Sequence, residues 1–388
     1  MERFALSRMK EWKENENRKP LIIRGARQVG KTWIMKTFGQ QYFEKTAYVN
    51  FDNNARMKQV FEGDLDIERL VLSISAETGV SIEAENTLII FDEVQEVPKA
   101  LTSLKYFYEN APQYAIVAAG SLLGVALHQG TSFPVGKVDF LDLYPLNFRE
   151  FLCAMGEKQF VSMLDSCDTQ MVTVFKTKYI ERLREYYFVG GMPEVVKDFS
   201  EKKDYNRVRA IQKNLINYYQ QDFSKHAEIK LVPRLNLVWN SIPMQLAKEN
   251  KKYIYGQVRE GSRAKDFELA IQWLLDCGLI HKVQRIQKPD LPLKAYIDFD
   301  AFKLFLVDIG LLIAMTDLDA KVIIEGNKIF TEFKGALTEQ YILQQLISDV
   351  GVIPYYYSTQ NSKGEIDFLV QGKTSVIPIE AVSYTHLT

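Results

Sequence analysis

The densest chemistry in the sequence lies in the run GARQVGKT. Gly25, Ala26, Arg27, Gln28, Val29, Gly30, Lys31 and Thr32 fit the spacing G-x-x-x-x-G-K-T. Glycines at the two ends let the backbone curl until its N–H groups face a phosphate. The lysine then reaches the outer phosphates, and the hydroxyl suits Mg²⁺. Hydrolysis needs a second group of residues for the metal and the attacking water, and the run NTLIIFDEVQ supplies it. Asp92 would support Mg²⁺, and Glu93 would polarise water as a general base, a role worth about 10²–10⁴ in rate. Lys31 and Glu93 are therefore the candidate catalytic residues, and Thr32 and Asp92 the candidate metal ligands. Ser121 closes the run YAIVAAGS, where a side chain could feel the terminal phosphate; a helix N-cap is an equally good reading.

These residues need particular elements to hold them. Leu21, Ile22 and Ile23 make a short apolar strand before the loop, and Ile34, Met35 and Phe38 follow at helical spacing. A strand before and a helix after is the context a phosphate loop requires. The continuous apolar run 88–91 predicts a strand buried on both faces, with the two acids at its C-terminal end, where ligands bind in open α/β sheets. Further strands are expected at 46–52 and 114–121. Ile67, Leu70, Val71 and Ile74, then Leu101, Leu104 and Tyr108, predict helices between them. Alternating strands and helices imply a parallel sheet.

The whole chain sets bounds. Its 388 residues allow two or three domains with sizeable cores. Lys plus Arg number 48 against 49 Asp plus Glu, so only a local basic patch, not bulk charge, could grip nucleic acid. Cys153, Cys167 and Cys277 form no C-x-x-C pair, which fits a reducing, cytoplasmic setting rather than a zinc site or disulfide scaffold. The N-terminal run shows no signal peptide. The most apolar stretch, AFKLFLVDIGLLIAM, is interrupted by Lys303 and Asp308 and is too short to span a bilayer, so no membrane is expected.

In this order, RGARQVGKT, YVNFD, LIIFDEVQ, AAGS and LDLYPLNFREFL resemble a large prokaryotic family of AAA-type ATP-binding proteins with a C-terminal domain of unknown function. YYFVGGMPEVV and GEIDFLV extend the resemblance through nearly the whole chain. The resemblance implies an AAA-like core using ATP with Mg²⁺. Family members commonly carry an arginine after the glycine of FPVGKVDF, where this chain has Lys137. If that position supplies a finger to a nucleotide, lysine is the poorer bidentate partner; a loop lysine facing solvent is the plainer reading. Arg149, Arg182 and Arg184 are the other finger candidates.

Beyond the core, YIERLREYYFVGGMPEVV carries Tyr179, Leu183 and Tyr187 on one helical stripe, read as packing, then Gly190 and Gly191 as a candidate hinge. Residues 226–316 read as a winged helix. Phe267, Ile271, Leu274 and Leu275 share one face of its second helix, Ser262 is the expected N-cap, and Gly278 the end. Arg259, Arg263 and Lys265 near its start could touch phosphates, although Asp266 and Glu268 interrupt them; packing against protein is the alternative. His281 reads as structural.

Near the end, Glu339 lies on a predicted helix, with Asp367 and Glu380 on a hairpin of strands 365–370 and 375–380. That layout resembles PD-(D/E)-x-K nucleases, in which carboxylates gather a divalent metal and a lysine follows the second strand's acid. Here Ala381 and Val382 follow Glu380. The closing VSYTHL matches one reading frame of a transposon end used in sequencing libraries, so residues 381–388 are expected to be an adapter artefact and His386 to carry no function.

The expected architecture is therefore α/β: a P-loop, AAA-like parallel-sheet domain (1–155), a helical lid or linker (156–225), a winged-helix-like module (226–316) and a truncated α/β nuclease-like domain (317–380). The expected function is Mg-dependent ATP hydrolysis that drives or gates the C-terminal region. Two alternatives stand beside it: a slow nucleotide-dependent switch binding DNA or a protein partner through 226–316, and an ATP-regulated DNA nuclease inactive in this truncated chain. A finger acting in trans would imply a homo-oligomer whose assembly completes the site.

Overall fold

The computed structural model describes residues 2–121, 123–124, 133–248, 252–325, 331–359 and 364–381. His386 and Val382 lie outside the described residues. The chain divides into two compact units, Arg3–Tyr144 and the residues from Pro145 onward with Glu2.

The first unit is a parallel α/β sheet. Its strands are β1 (Leu21–Arg24), β2 (Lys45–Asn50), β3 (Thr87–Asp92), β4 (Ala115–Ala119) and β5 (Asp139–Asp142). They lie in the order β2-β3-β4-β1-β5, with every pairing parallel. The apolar run predicted for a doubly covered strand is β3, buried along its full length. Helices α1 (Ala5–Glu14), α2 (Lys31–Tyr42), α3 (Ala55–Glu62), α4 (Ile67–Thr78) and α5 (Pro98–Asn110) complete the unit. Leu70 and Ile74 of α4 and Leu101, Leu104 and Phe107 of α5 pack with Ile89, Phe91 and Ile116 in one core. The expected strands at 46–52 and 114–121 and the two expected helices are all present. Asp66 caps α4 by accepting the Arg69 N–H at 2.9 Å.

The second unit is helical at first and then builds a mixed sheet. Strands β6 (Ile280–Ile286), β7 (Ile297–Leu306), β8 (Tyr355–Ser358), β9 (Glu365–Gln371) and β10 (Val376–Ile379) lie in the order β10-β9-β8-β6-β7. β6 pairs antiparallel with β7 but parallel with β8. The strands expected as a wing within 226–316 therefore share one sheet with the hairpin expected within 317–380, and the border at 316/317 falls inside one body. Residues 145–155 also belong to this unit: the Leu146 N–H donates to Gly191 O at 2.7 Å, and Asn147 and Glu150 form a reciprocal cap on the helix Phe148–Ala154. The second helix of the expected winged module starts at Ala264 with Arg263, not Ser262, at the cap, because Asp266 accepts the Arg263 N–H at 2.8 Å.

Gly190 and Gly191 do not behave as a hinge. Gly190 takes a left-handed φ of 73°, and a Cβ there would sit 2.2 Å from Asp308 Oδ1. A Cβ on Gly191 would sit 2.0 Å from Leu146 O. The pair is needed for close approach, not for freedom. Asp308 is fully buried and accepts from the Gly191 N–H at 2.6 Å, the Leu311 N–H at 3.1 Å and Gln344 at 3.2 Å. The stripe of Tyr179 and Tyr187 packs as expected, Tyr187 lying 5.4 Å from the Tyr341 ring.

Burial raises the Asp308 carboxyl from its ordinary 3.8 to about 6, against the hydrogen bonds that favour its charge; Tyr186 and Tyr219 lie close to it. A carboxyl raised in the folded chain adds stability below 3.8, and that stability is lost as pH climbs through about 6. His281 on β6 runs oppositely: desolvation lowers it to about 4, so its contribution is lost as pH falls from 6.5 through 4. Asp308→Asn removes the first effect alone. Its stability relative to the native chain should therefore fall by up to about 3 kcal/mol between pH 7 and pH 4. Urea midpoints at the two pH values check this; a pH-independent difference would contradict it.

Candidate functional site

The phosphate loop joins β1 to α2. Gly25 has φ +147°, and a Cβ on it would meet Leu143 O at 2.1 Å. Gly30 has φ +96° and caps α2, whose first two residues are Lys31 and Thr32. Gln28 also takes a left-handed φ, of 65°. Both glycines of the motif are thus required by shape, and the twelve-residue helix begins at the end of the loop, so that its N-terminal dipole would favour an anion held there. Lys31 is nearly buried, and its Nζ donates to the carbonyls of Gly25 at 2.8 Å and Ala26 at 2.7 Å.

β3 brings the acids alongside. Thr32 Oγ1 donates to Asp92 Oδ2 at 2.7 Å, and Asp92 is only 3% exposed. A second hydroxyl, Tyr48 on β2, donates to the same oxygen at 2.9 Å. β2 and β3 lie side by side, with Tyr48 opposite Ile90 and Asn50 opposite Asp92. Burial first, then the charge of Asp92, pushes the Tyr48 hydroxyl well above its ordinary value, so it stays a donor. Lys36 of α2 lies 3.8 Å from the Tyr48 ring centre. The strand 46–52 was legible, but Tyr48 as a partner of Asp92 was not; it needed the strand order.

Glu93 follows in a left-handed conformation, φ 51°. Its Oε2 accepts from Gln95 Nε2 at 2.7 Å, and its Oε1 from Ser121 Oγ at 3.0 Å. Burial alone would raise its carboxyl. The hydrogen bonds from Gln95 and Ser121, with the charge of Lys31, outweigh that and hold it below the ordinary value. Ser121 thus joins the expected general base across β4, and Gln95, two residues after the acid in DEVQ, is the second residue the sequence reading missed.

The finger candidates have partners within their own units. Lys137 Nζ lies 3.0 Å from Glu109 Oε1 and 5.5 Å from the Tyr108 ring centre. Arg149 pairs with Asp165 and Asp349, Arg182 with Glu157 and Glu185, and Arg184 donates to Ile324 O at 3.3 Å. Arg259, Arg263 and Lys265 are all exposed.

The nuclease-like acids are arranged otherwise than expected. Among the described residues no group of three His, Cys, Asp or Glu side chains is placed to hold a metal. Glu339 is buried, and its Oε2 accepts from Lys303 Nζ at 3.2 Å; Lys303 also donates to Glu365 Oε1 at 2.6 Å. Lys303 is 0% exposed. Desolvation would lower its ammonium, but Glu339, Glu365 and Asp367 raise it on balance. Asp367 Oδ2 accepts the Ala381 N–H at 2.8 Å, and Glu380 is exposed just beyond β10. Lys303 of β7 thus bridges Glu339 and Glu365.

Residues 17–152 match the family described as AAA domain. Residues 180–322 match a domain of unknown function, DUF8612, and residues 334–386 another, DUF4143. No curated protein matches the chain. Among solved structures, the Walker-type ATPase of Pyrococcus abyssi is similar over 81% of this chain and 95% of its own, with 15% identity and a TM-score of 0.50. The ORC1 protein of Aeropyrum pernix in complex with DNA aligns over 80% of this chain and 91% of its own, with 13% identity and a TM-score of 0.28. AMPPCP-bound DnaA from Aquifex aeolicus aligns over 71% and 88%, with 14% identity and a TM-score of 0.26. The likeness is one of fold, and the two lower scores carry no weight in it. With a phosphate loop and its acidic partner set on a parallel sheet, residues 17–152 form an AAA domain, and residues 334–386 match DUF4143.

Proposed function

We propose that this chain binds ATP with Mg²⁺ and hydrolyses it. The observation that carries the reading is the 2.7 Å contact between Thr32 and the buried Asp92, one residue beyond Lys31. A hydroxyl and a carboxylate converge there on one point, the protein donor set suited to a cation also held by phosphate oxygens, so the residues fit Mg²⁺. When bound, Mg²⁺ would neutralise charge on the phosphates. Gly25, Ala26, Arg27, Gln28, Val29 and Gly30 would cradle the phosphates through their backbone. Lys31 would leave the Gly25 and Ala26 carbonyls for the outer phosphate oxygens. Tyr48 would hold Asp92 in place, and Glu93 would take the proton of the attacking water.

ATP turnover with Mg²⁺, with and without double-stranded DNA, tests the reading beside Lys31→Ala. That variant should bind ATP roughly ten- to a hundredfold more weakly, the loss of one charge-assisted contact of about 1.5–3 kcal/mol, and should lose turnover. Unchanged binding in Lys31→Ala would sink the reading.

A second reading, a slow switch, is favoured by the exposed Arg259, Arg263 and Lys265, which suit phosphates of DNA or an acidic protein face within 226–316. One turnover followed by retained ADP, with DNA changing the rate, would select it. The nuclease reading receives no such support: among the described residues no three His, Cys, Asp or Glu side chains are placed to hold a metal. No helix among the described residues is long and apolar enough to cross a membrane. A cytoplasmic setting and a homo-oligomer that completes the site remain part of the proposal.

A further inference from the structure

A side chain from the start of the chain reaches the phosphate loop. Arg3 is 5% exposed, and its guanidinium donates to Val29 O at 3.0 Å through one nitrogen and to Tyr144 O at 2.6 Å through another. Val29 closes the loop, just before Gly30. Tyr144 follows β5, in a segment already fixed to the loop's beginning. There the Leu143 N–H donates to Arg24 O at 2.8 Å, and Arg24 grips Asp142 through two nitrogens at 2.8 and 2.9 Å. The Leu143 carbonyl also lies 2.1 Å from where a Cβ on Gly25 would be. Arg3 therefore ties the end of the loop to a segment pinned at its start. The planar fork of an arginine suits two acceptors at once.

A trans peptide points its C=O and N–H in opposite directions. Holding the Val29 oxygen on the side of Arg3 thus sends the Gly30 N–H to the other side. That peptide unit is otherwise easy to turn over, because Gly30, at φ +96°, has no Cβ to resist a change of φ. Without Arg3, the buried Val29 carbonyl would lose its partner and be driven to find another. We propose that Arg3 is a positioning residue of the phosphate loop, which keeps the Gly30 N–H presented to the phosphates that ATP and ADP have in common. The inference rests on the ATP-binding reading. Arg3 touches carbonyls of the loop and not the reacting atoms, so it sets affinity rather than the chemical step.

Two variants of the full chain test this, by calorimetric Kd for ATP and for ADP with Mg²⁺ and by steady-state turnover. Arg3→Met keeps much of the length and loses every donor. It should bind both nucleotides roughly tenfold more weakly, the worth of one charge-assisted hydrogen bond. Its kcat at saturating ATP should stay within about threefold of native, the pattern of lost ground-state binding. Arg3→Lys keeps the charge without the fork. It should fall between the other two chains, and it carries the test should the methionine variant fail to fold. Native Kd values in the folded variants overturn the clamp and leave the ATP reading standing. A loss for ATP with none for ADP also overturns it, since Arg3 would then act on the terminal phosphate. So does full recovery by lysine, which would assign the effect to charge alone, and so does a fall in kcat with Kd unchanged. A native chain that binds neither nucleotide overturns both readings.

Discussion

Glu93→Gln will bind ATP as tightly as the native chain and turn it over about 10²–10⁴ times more slowly. The substitution preserves volume and exchanges an acceptor oxygen for an NH₂ group. It leaves Lys31, Thr32 and Asp92 untouched, and these make the proposed contacts to phosphate and Mg²⁺. The loss should therefore fall on kcat, with little change in ATP Kd, the pattern of an interaction made only in the transition state. Asp92 gives the contrast. It already accepts from Thr32 and Tyr48, so its removal would disturb the metal site and binding together. Turnover by Glu93→Gln within a few-fold of native would remove Glu93 as the base, whatever the other residues do.

Lys303→Met will destabilise the second unit by about 3–5 kcal/mol, the usual cost of removing one partner from a buried ion pair. The ammonium is fully buried with Glu339, while Glu365 is about one-third exposed, at 33% of its side chain, and can turn to water. The cost therefore falls mainly on Glu339, which loses its buried cation. Adding Glu339→Gln should recover much of the loss, because a neutral amide in that position no longer needs a counter-ion. Urea unfolding of the two variants, followed by tryptophan fluorescence, measures both. ATP binding should persist, since residues 3–144 close their own sheet. A loss below about 1 kcal/mol in Lys303→Met would mean that the pair is not buried in solution.

The first unit was legible because its signals are local. A glycine loop between an apolar strand and a helix, and an apolar run ending in two acids, each contain the whole of their physical reason in a few residues. Tyr48 and Gln95 escaped because their roles depend on which strand lies beside which. Tyr48 matters only once β2 is known to flank β3, and Gln95 only once β4 carries Ser121 across to Glu93. The second unit misled for a related reason. Gly190 and Gly191 offered freedom in the sequence, yet the fold uses their lack of a side chain for contact with Asp308 and Leu146. Lys303 and Asp308 were visible as the two charges that break the most apolar run. That signal was sound, since a charge in a buried segment must find partners. The partners, Glu339, Glu365 and Gln344, are scattered along the chain, and no spacing rule joins them. The wing was read from a local helix–helix–strand pattern, whereas its sheet continues from β6 through β8, β9 and β10, strands made far later in the chain.

The strand order of the second sheet also has a consequence for synthesis. The first unit is continuous in sequence and ends its sheet with β5, so a chain emerging from a ribosome can finish it early. β6 cannot be finished then. Its neighbour on one side, β7, follows at once, but the other, β8, is made only after the helix Thr331–Gln345 has followed. Until that moment β6 offers a bare row of backbone donors and acceptors to any passing chain. The nascent protein therefore spends a stretch of its translation with a finished first unit and an open edge, and slow codons or a pause between β7 and β8 would lengthen that interval.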